Sequence, residues 1–258
     1  MRNTNRTAAK RAVILTAIPA EYSAVRAHME NVSEHPPHKG TIYEVGLFEG
    51  WEILIAEIGA GNANAGIEVE RAVNYFAPNV LLFVGVAGGV KDVRVGDVVA
   101  ATRAYGYESG KESDEGFLAR PLVFPCNHDL QERAKFESRK PDWLNRLTND
   151  PENTPSVLLG PIAAGEKVVA ETRSETFSFI KRTYNDAIAI EMEGVGCLAA
   201  IQKNSSVLAL VVRGISDLID GKADDDASGS QPIAAAHASA FAFEVLSKFK
   251  PPEPANPS

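Results

Sequence analysis

The sequence is poor in sulfur. Its 258 residues hold two cysteines and three methionines. Cys126 and Cys197 lie far apart, with no His or Cys neighbour at metal-ligand spacing, which argues against a disulfide framework and a zinc site. A cytoplasmic protein is the expectation that follows. Basic residues are also scarce, 26 Lys and Arg against 34 Asp and Glu, for a net charge of -8. That balance excludes a nucleic-acid backbone as the main partner but leaves room for a small anion in a local basic pocket. No apolar run approaches a membrane span. The five histidines (His28, His35, His38, His128, His237) form no constellation, and His35 and His38 sit in a Pro-rich stretch, 34–40, that reads as a solvated loop.

What remains is an ordinary soluble composition, 45% hydrophobic and 23% charged. The chain is long enough for one large domain or two small ones with a sizeable core. Arg2, Arg6, Lys10 and Arg11 precede the apolar run Ala12-Val13-Ile14-Leu15-Thr16-Ala17-Ile18. Basic then apolar mimics a signal peptide, but Pro19-Ala20-Glu21 follows at once, and a first buried strand explains the run better. The expected organisation is a flexible N-terminus over 1–11, one domain over 12–248 and a disordered tail over 249–258.

The stretch 190–217 organises the rest. It opens Ile190-Glu191-Met192-Glu193-Gly194-Val195-Gly196 and closes Val211-Val212-Arg213-Gly214-Ile215-Ser216-Asp217. Charges inside apolar runs are costly to bury unless they have a task. The pattern reads strand to Ile190, helix over 195–201 and a fully buried parallel strand over 207–212. Glu191, Glu193, Arg213, Ser216 and Asp217 then fall at or beyond strand ends, where open α/β sheets bind ligands.

Other segments repeat this grammar. Strand one is 13–17, and 21–29 has helical character. Residues 43–47 and 53–58 pair as a hairpin across Glu49-Gly50-Trp51. Gly59-Ala60-Gly61 leads into a helix ending at Phe76, and such glycine turns bring helix N–H groups close to a ligand. The buried strand 80–86 runs into a second turn, Ala87-Gly88-Gly89. Strands follow at 95–100 and 157–164, with a polar loop expected over 105–117 and surface helix over 127–150. Residues 171–182 form a helix, 220–231 a mobile acidic segment and 234–248 an Ala-rich closing helix. The alternation implies a single α/β domain with a central, mostly parallel mixed sheet flanked by helices.

Val84-Gly85-Val86-Ala87-Gly88-Gly89 with Val95-Gly96-Asp97-Val98-Val99, then Ile190-Glu191-Met192-Glu193, then Arg213-Gly214-Ile215-Ser216-Asp217, resemble the nucleoside phosphorylase and nucleosidase superfamily over residues 12–248. Within it the chain looks similar to methylthioadenosine/S-adenosylhomocysteine nucleosidases. The resemblance implies hydrolysis of the N-glycosidic bond of an adenine nucleoside or nucleotide, with no metal or organic cofactor and a homodimer. It gives Asp217 the role of the acid at purine N7, with Ser216 beside it. It gives Glu193 and Met192 the ribose hydroxyls, Glu21 the activation of water and Arg213 its placement. The glycine turns at Gly59, Gly61, Gly88 and Gly89 would lie near the ligand. Val168 stands where the nucleosidases carry an aromatic ring over the base, and Val169 would present its backbone to adenine.

These residue types suit the chemistry. The reaction passes through an oxocarbenium-like ribosyl centre, so one carboxyl protonates the leaving base and another, ionised, accepts a proton from water. Asp217 and Glu21 divide those roles. Hexameric phosphorylases of the superfamily bind phosphate at positions that match Glu21, Phe83 and Val86 here. A carboxylate at the first of them repels phosphate and favours water. Ile18, Lys111 and Lys167 are candidates for the pocket around the 5′ group. The polar stretch 105–121 resembles nucleosidase domains of bacterial defence proteins, some of which act on ATP, where Lys111, Arg120 and Lys167 would meet phosphates. A phosphate-dependent phosphorylase and a non-catalytic nucleoside sensor are the remaining alternatives.

Overall fold

The computed structural model describes residues 10–114, 116–149, 151, 153–204, 206–219 and 229–252. Most of the expected N-terminal arm, the greater part of the acidic 220–231 segment and the end of the expected tail lie outside the described residues.

The first strand, β1 (Lys10–Thr16), is buried from Ala12 onward and takes in Lys10 and Arg11, which the sequence assigns to the arm. It runs parallel to β4 (Trp51–Glu57) on one side and to β5 (Val80–Gly89) on the other. The last strand, β12 (Leu208–Asp217), lies parallel to β5. These strands are continuous apolar runs because helices cover both faces. Beyond β12 the direction changes. β6 (Val98–Gly106) is antiparallel to β12, β10 (Val157–Ala164) is parallel to β6, and β11 (Ala189–Glu191) is parallel to β10. β11 then pairs antiparallel with Gly88 and Gly89 of β5, so this half of the sheet curls and closes on itself.

The helices follow their sequence signals. α1 (Pro19–Arg26) starts at a proline. α2 (Asn62–Phe76) follows the first glycine turn. α3 (His128–Glu137) is capped by the Asn127 side chain, and α4 (Glu175–Thr183) by Ser174. α5 (Gly194–Gln202) is short and made of small residues. α6 (Ser230–Lys248) is Ala-rich and buried along most of its length.

Three expectations are corrected. Residues 34–40 are not a solvated loop. They belong largely to the edge strand β2 (Glu30–His38), paired with β3 (Thr41–Phe48). The expected loop 105–117 instead completes β6 and forms a small hairpin, β7 (Gly110–Ser113) with β8 (Gly116–Ala119), before β9 (Leu122–Pro125) returns along β6. The helix expected over 127–150 is α3 followed by a separate 3-10 turn, Asp142–Arg146.

Candidate active site

Arg213 is not at a strand end. It stands inside β12, opposite Gly85 of β5, and is completely buried. The strand runs on past it because the charge has partners. Its Nη2 donates to Glu191 and, at 3.1 Å, to Glu193. Its Cζ lies 4.7 Å from the centre of the Phe83 ring. Nε and Nη1 are buried with no partner, a costly state for a guanidinium. Nη1 faces the niche at Gly85, where a Cβ would collide with both Nη1 and Oε1 of Glu21.

Glu21 reaches that niche from the first turn of α1. Its Oε2 accepts from the Ala17 N–H at 2.7 Å and the Ile18 N–H at 3.2 Å. Its Oε1 accepts from the Val86 N–H at 2.8 Å. The residue therefore caps its own helix and also stands beside the guanidinium. Burial pushes its carboxyl above the usual carboxylate range, against the opposing pull of Arg213 and the Ala17 and Val86 N–H groups.

The acidic pair at the end of β11 divides its work. Glu191 accepts from the Glu193 N–H at 3.0 Å and from the Gly194 N–H at 2.9 Å, so it holds the start of α5 as well as Arg213. Glu193 accepts from the Gly61 N–H at 3.0 Å. Burial also raises the Glu193 carboxyl, with Arg213 opposing and Glu191 adding to the rise. The same three carboxylates hold the Arg213 guanidinium charged more firmly than usual, although burial works against it.

Asp217 closes β12 opposite Gly88. Its Oδ2 accepts from the Ser216 hydroxyl and its Oδ1 from the Ile219 N–H, both at 3.0 Å. Ile190 and Ile219 pack with Val169 in one small apolar cluster, and both of them flank the Gly88 position together with Asp217. Across a bulge in β12, Arg213 and Asp217 oppose Gly85 and Gly88, three strand residues or about 10 Å apart, enough for a base at one end and a sugar at the other.

The structure thus gathers Glu21, Glu193 and Arg213, with Gly61 in contact, and sets Asp217, Ser216 and Gly88 along the same two strands, with Val169 packed beside them from the loop after β10. Met192 is half-buried between the two glutamates. Gly59 lies in the turn before α2, whereas the turn expected at Ala87-Gly88-Gly89 is the end of β5, because Gly88 and Gly89 are paired with β11. Ile18 joins the cluster through its backbone. Val168 is 63% exposed and covers nothing. Lys167 points outward and pairs with Glu108 at 3.7 Å. Lys111 lies on the separate β7–β8 hairpin. Three contributors carry no assigned role in the sequence reading. Glu191 was visible as half of an acidic pair, whereas Gly85 and Asn62 act through contacts between distant segments. Among the described residues no three His, Cys, Asp or Glu side chains are grouped to hold a metal ion.

The class of this α/β domain, a curled mixed sheet with a buried arginine shared among carboxylates, is set by its relatives. The sequence profile of the phosphorylase superfamily matches residues 11–250, and the chain belongs to that superfamily. The 5′-methylthioadenosine/S-adenosylhomocysteine nucleosidase of Staphylococcus aureus strain JH9 is 26% identical over 221 residues, which cover 82% of this chain and 88% of the relative. That of Staphylococcus carnosus strain TM300 is 27% identical over 190 residues, 69% of this chain and 74% of the relative. The Neisseria meningitidis nucleosidase, solved with methylthio-immucillin-A, superposes with a TM-score of 0.78 at 24% identity, covering 93% of this chain and 100% of that one. Futalosine hydrolase of Helicobacter pylori superposes at 0.76 with 22% identity, covering 93% and 99%.

Proposed function

We propose that the chain is a purine nucleosidase that hydrolyses the N-glycosidic bond of an adenine nucleoside, of the methylthioadenosine or S-adenosylhomocysteine type, and releases adenine. The carrying observation is the Gly85 niche, where the Glu21 carboxylate meets the unpartnered Nη1 of Arg213. A water beside that pair finds a donor to orient it and a base to take its proton. Burial brings Glu21 closer to the working pH, which suits a general base. As the C1′–N9 bond breaks, its electron pair goes to the base and N7 takes a proton from Asp217. Water attacks C1′ and yields its proton to Glu21. Glu193 accepts hydrogen bonds from the ribose hydroxyls, Met192 lies against the sugar and the backbone of Val169 meets the adenine edge.

A phosphate nucleophile fits poorly, because Glu21, Glu191 and Glu193 present three carboxylates to a single guanidinium. A thioether 5′ substituent is favoured over phosphates, since Lys167 pairs with Glu108 and Lys111 stands on a separate hairpin. We also infer a homodimer in the cytoplasm. Leu118, Leu122 and Val123, each exposed on β8 or β9, support a partner surface. The free, buried Cys126 and Cys197 support a reducing compartment. Light scattering on the eluted protein should give twice the 27.7 kDa chain mass.

The deciding experiment is adenine release, followed by chromatography, from methylthioadenosine, S-adenosylhomocysteine, adenosine, AMP and ATP, without phosphate and with it. Release from the thioether nucleosides in phosphate-free buffer is expected. Release only with phosphate would make the chain a phosphorylase. Preference for AMP or ATP would overturn the 5′ assignment, and no release from any of the five would favour a sensor.

A further inference from the structure

We propose that Asn62 is a positioning residue, a strap that fixes the purine-facing loop 165–169 to the ribose end of the same site. The proposal rests on the reading of the site given above and adds a residue that reading does not use.

Asn62 opens α2, and both ends of its side chain are engaged. Its Oδ1 accepts from the Gly196 N–H in the first turn of α5, at 2.9 Å. Its Nδ2 donates to the Gly165 carbonyl, just beyond β10, at 3.1 Å. The residue before it, Gly61, donates its N–H to Glu193. One dipeptide therefore touches the ribose carboxylate, the helix that follows that carboxylate and the root of the loop carrying Val168 and Val169. Its backbone cannot drift, because Asn62 lies directly on Gly196, where a Cβ would stand 2.6 Å from the Asn62 carbonyl carbon.

Other contacts also hold the loop, and the Tyr107 ring lies against Gly165, where a Cβ would stand 2.3 Å from it. Gly165 donates its N–H to the Glu191 carbonyl at 3.2 Å, and Glu166 donates its N–H to Glu108 at 2.8 Å. Lys167 and Val168 are exposed, and only Val169 is buried in the small apolar cluster. The loop's place relative to Glu193 is thus set at its root by the Glu191 carbonyl, Tyr107 and Asn62, at Glu166 by Glu108, and at its far end by Val169. Among the side-chain hydrogen bonds of the described residues, those of Asn62 join the loop root to α5. A shift of about 1 Å in such a frame is enough to cost affinity for the base.

Asn62→Asp separates this role from folding. The carboxylate keeps the acceptor for Gly196, and a negative charge at a helix N-terminus is favourable. It loses the donor to Gly165, placing oxygen against oxygen, until protonation restores an O–H. Asn62→Leu lacks the donor at every pH.

Three readouts test the strap on the full-length protein: amide hydrogen exchange of residues 165–169, adenine affinity by calorimetry, and KM against kcat. In Asn62→Asp at pH 7.5 the loop amides should exchange about tenfold faster, and adenine Kd and substrate KM should rise about tenfold, the loss of roughly one hydrogen bond. The change in kcat should stay under about threefold, because Glu21 and Arg213 are untouched. Asn62→Leu, which lacks both the donor and the acceptor, should show losses at least as large. Unchanged exchange or unchanged adenine affinity in Asn62→Asp overturns the proposal, as does a loss confined to kcat. An unaltered protein that shows the Asn62-dependent exchange and affinity but hydrolyses no nucleoside would overturn the nucleosidase reading and leave the strap standing.

Discussion

At Gly85 the missing side chain is the functional group. The space is filled from two sides by Arg213 and Glu21, so a single methyl would push the guanidinium and the carboxylate apart. Gly85→Ala should lower kcat/KM for adenine release by about a hundredfold, the cost expected for roughly 1 Å of misplacement, and destabilise the fold by about 1–3 kcal/mol. Steady-state kinetics with a thermal melt separate the two effects, and near-normal kinetics would mean that the niche is not the reacting site. Glu191 makes a different kind of contribution. It touches Arg213 and the two N–H groups opening α5, and its removal leaves a buried guanidinium with one carboxylate fewer. Glu191→Ala should therefore cost about 3–5 kcal/mol of stability, read by urea denaturation. A loss below about 1 kcal/mol would show that Glu193 alone satisfies the charge.

At the scale of elements, close approach decides what the sequence can reveal. The parallel strands were legible because each is a continuous apolar run between turn residues. The candidate site residues Glu193, Arg213, Ser216 and Asp217 could be picked out because they sit on contiguous motifs. β2 was not, since it is exposed nearly throughout and contains Pro36 and Pro37. It is a strand because β3 offers it an edge, and pairing overrides propensity there. The continuation of β12 through Arg213 was hidden for a related reason, its partners arriving from β11 and α1. The seat of α6 was equally invisible: the Ala234 backbone occupies the place of a Cβ on Gly214, with the Ala234 Cα at 2.9 Å. Gly214→Ala should lift the helix off β12 one residue beyond Arg213 and lower Tm by several degrees, a shift of the size about 1–3 kcal/mol of overpacking produces. A melt matching the unaltered protein would show that the helix yields without cost.

Across the whole molecule, stability and activity respond to pH through different groups. His28 stacks on Phe243 of α6 at 4.5 Å between ring centres. Burial first, and then the Arg146 guanidinium, lower its pKa from 6.5 to about 4. Between those values the unfolded chain binds a proton that the folded chain refuses, so the stability from neutral His28 is present above 6.5 and is lost as pH falls toward 4. Glu21 and Glu193, raised by burial, act the other way: their protonated forms favour the fold at low pH, and that contribution is lost as pH rises through their elevated values. Catalysis needs Glu21 ionised, so its acid limb should lie above the ordinary carboxylate value of 4.5. His28→Phe keeps an aromatic ring against Phe243 and removes the titrating group. Scanning calorimetry at pH 7.5, 5.5 and 4.5 should show Tm falling less steeply in this variant, while the acid limb of adenine release stays where it was. Equal slopes in the two proteins would assign the acid loss of stability elsewhere, and an acid limb that moves with His28 would mean that Glu21 is not the base being titrated.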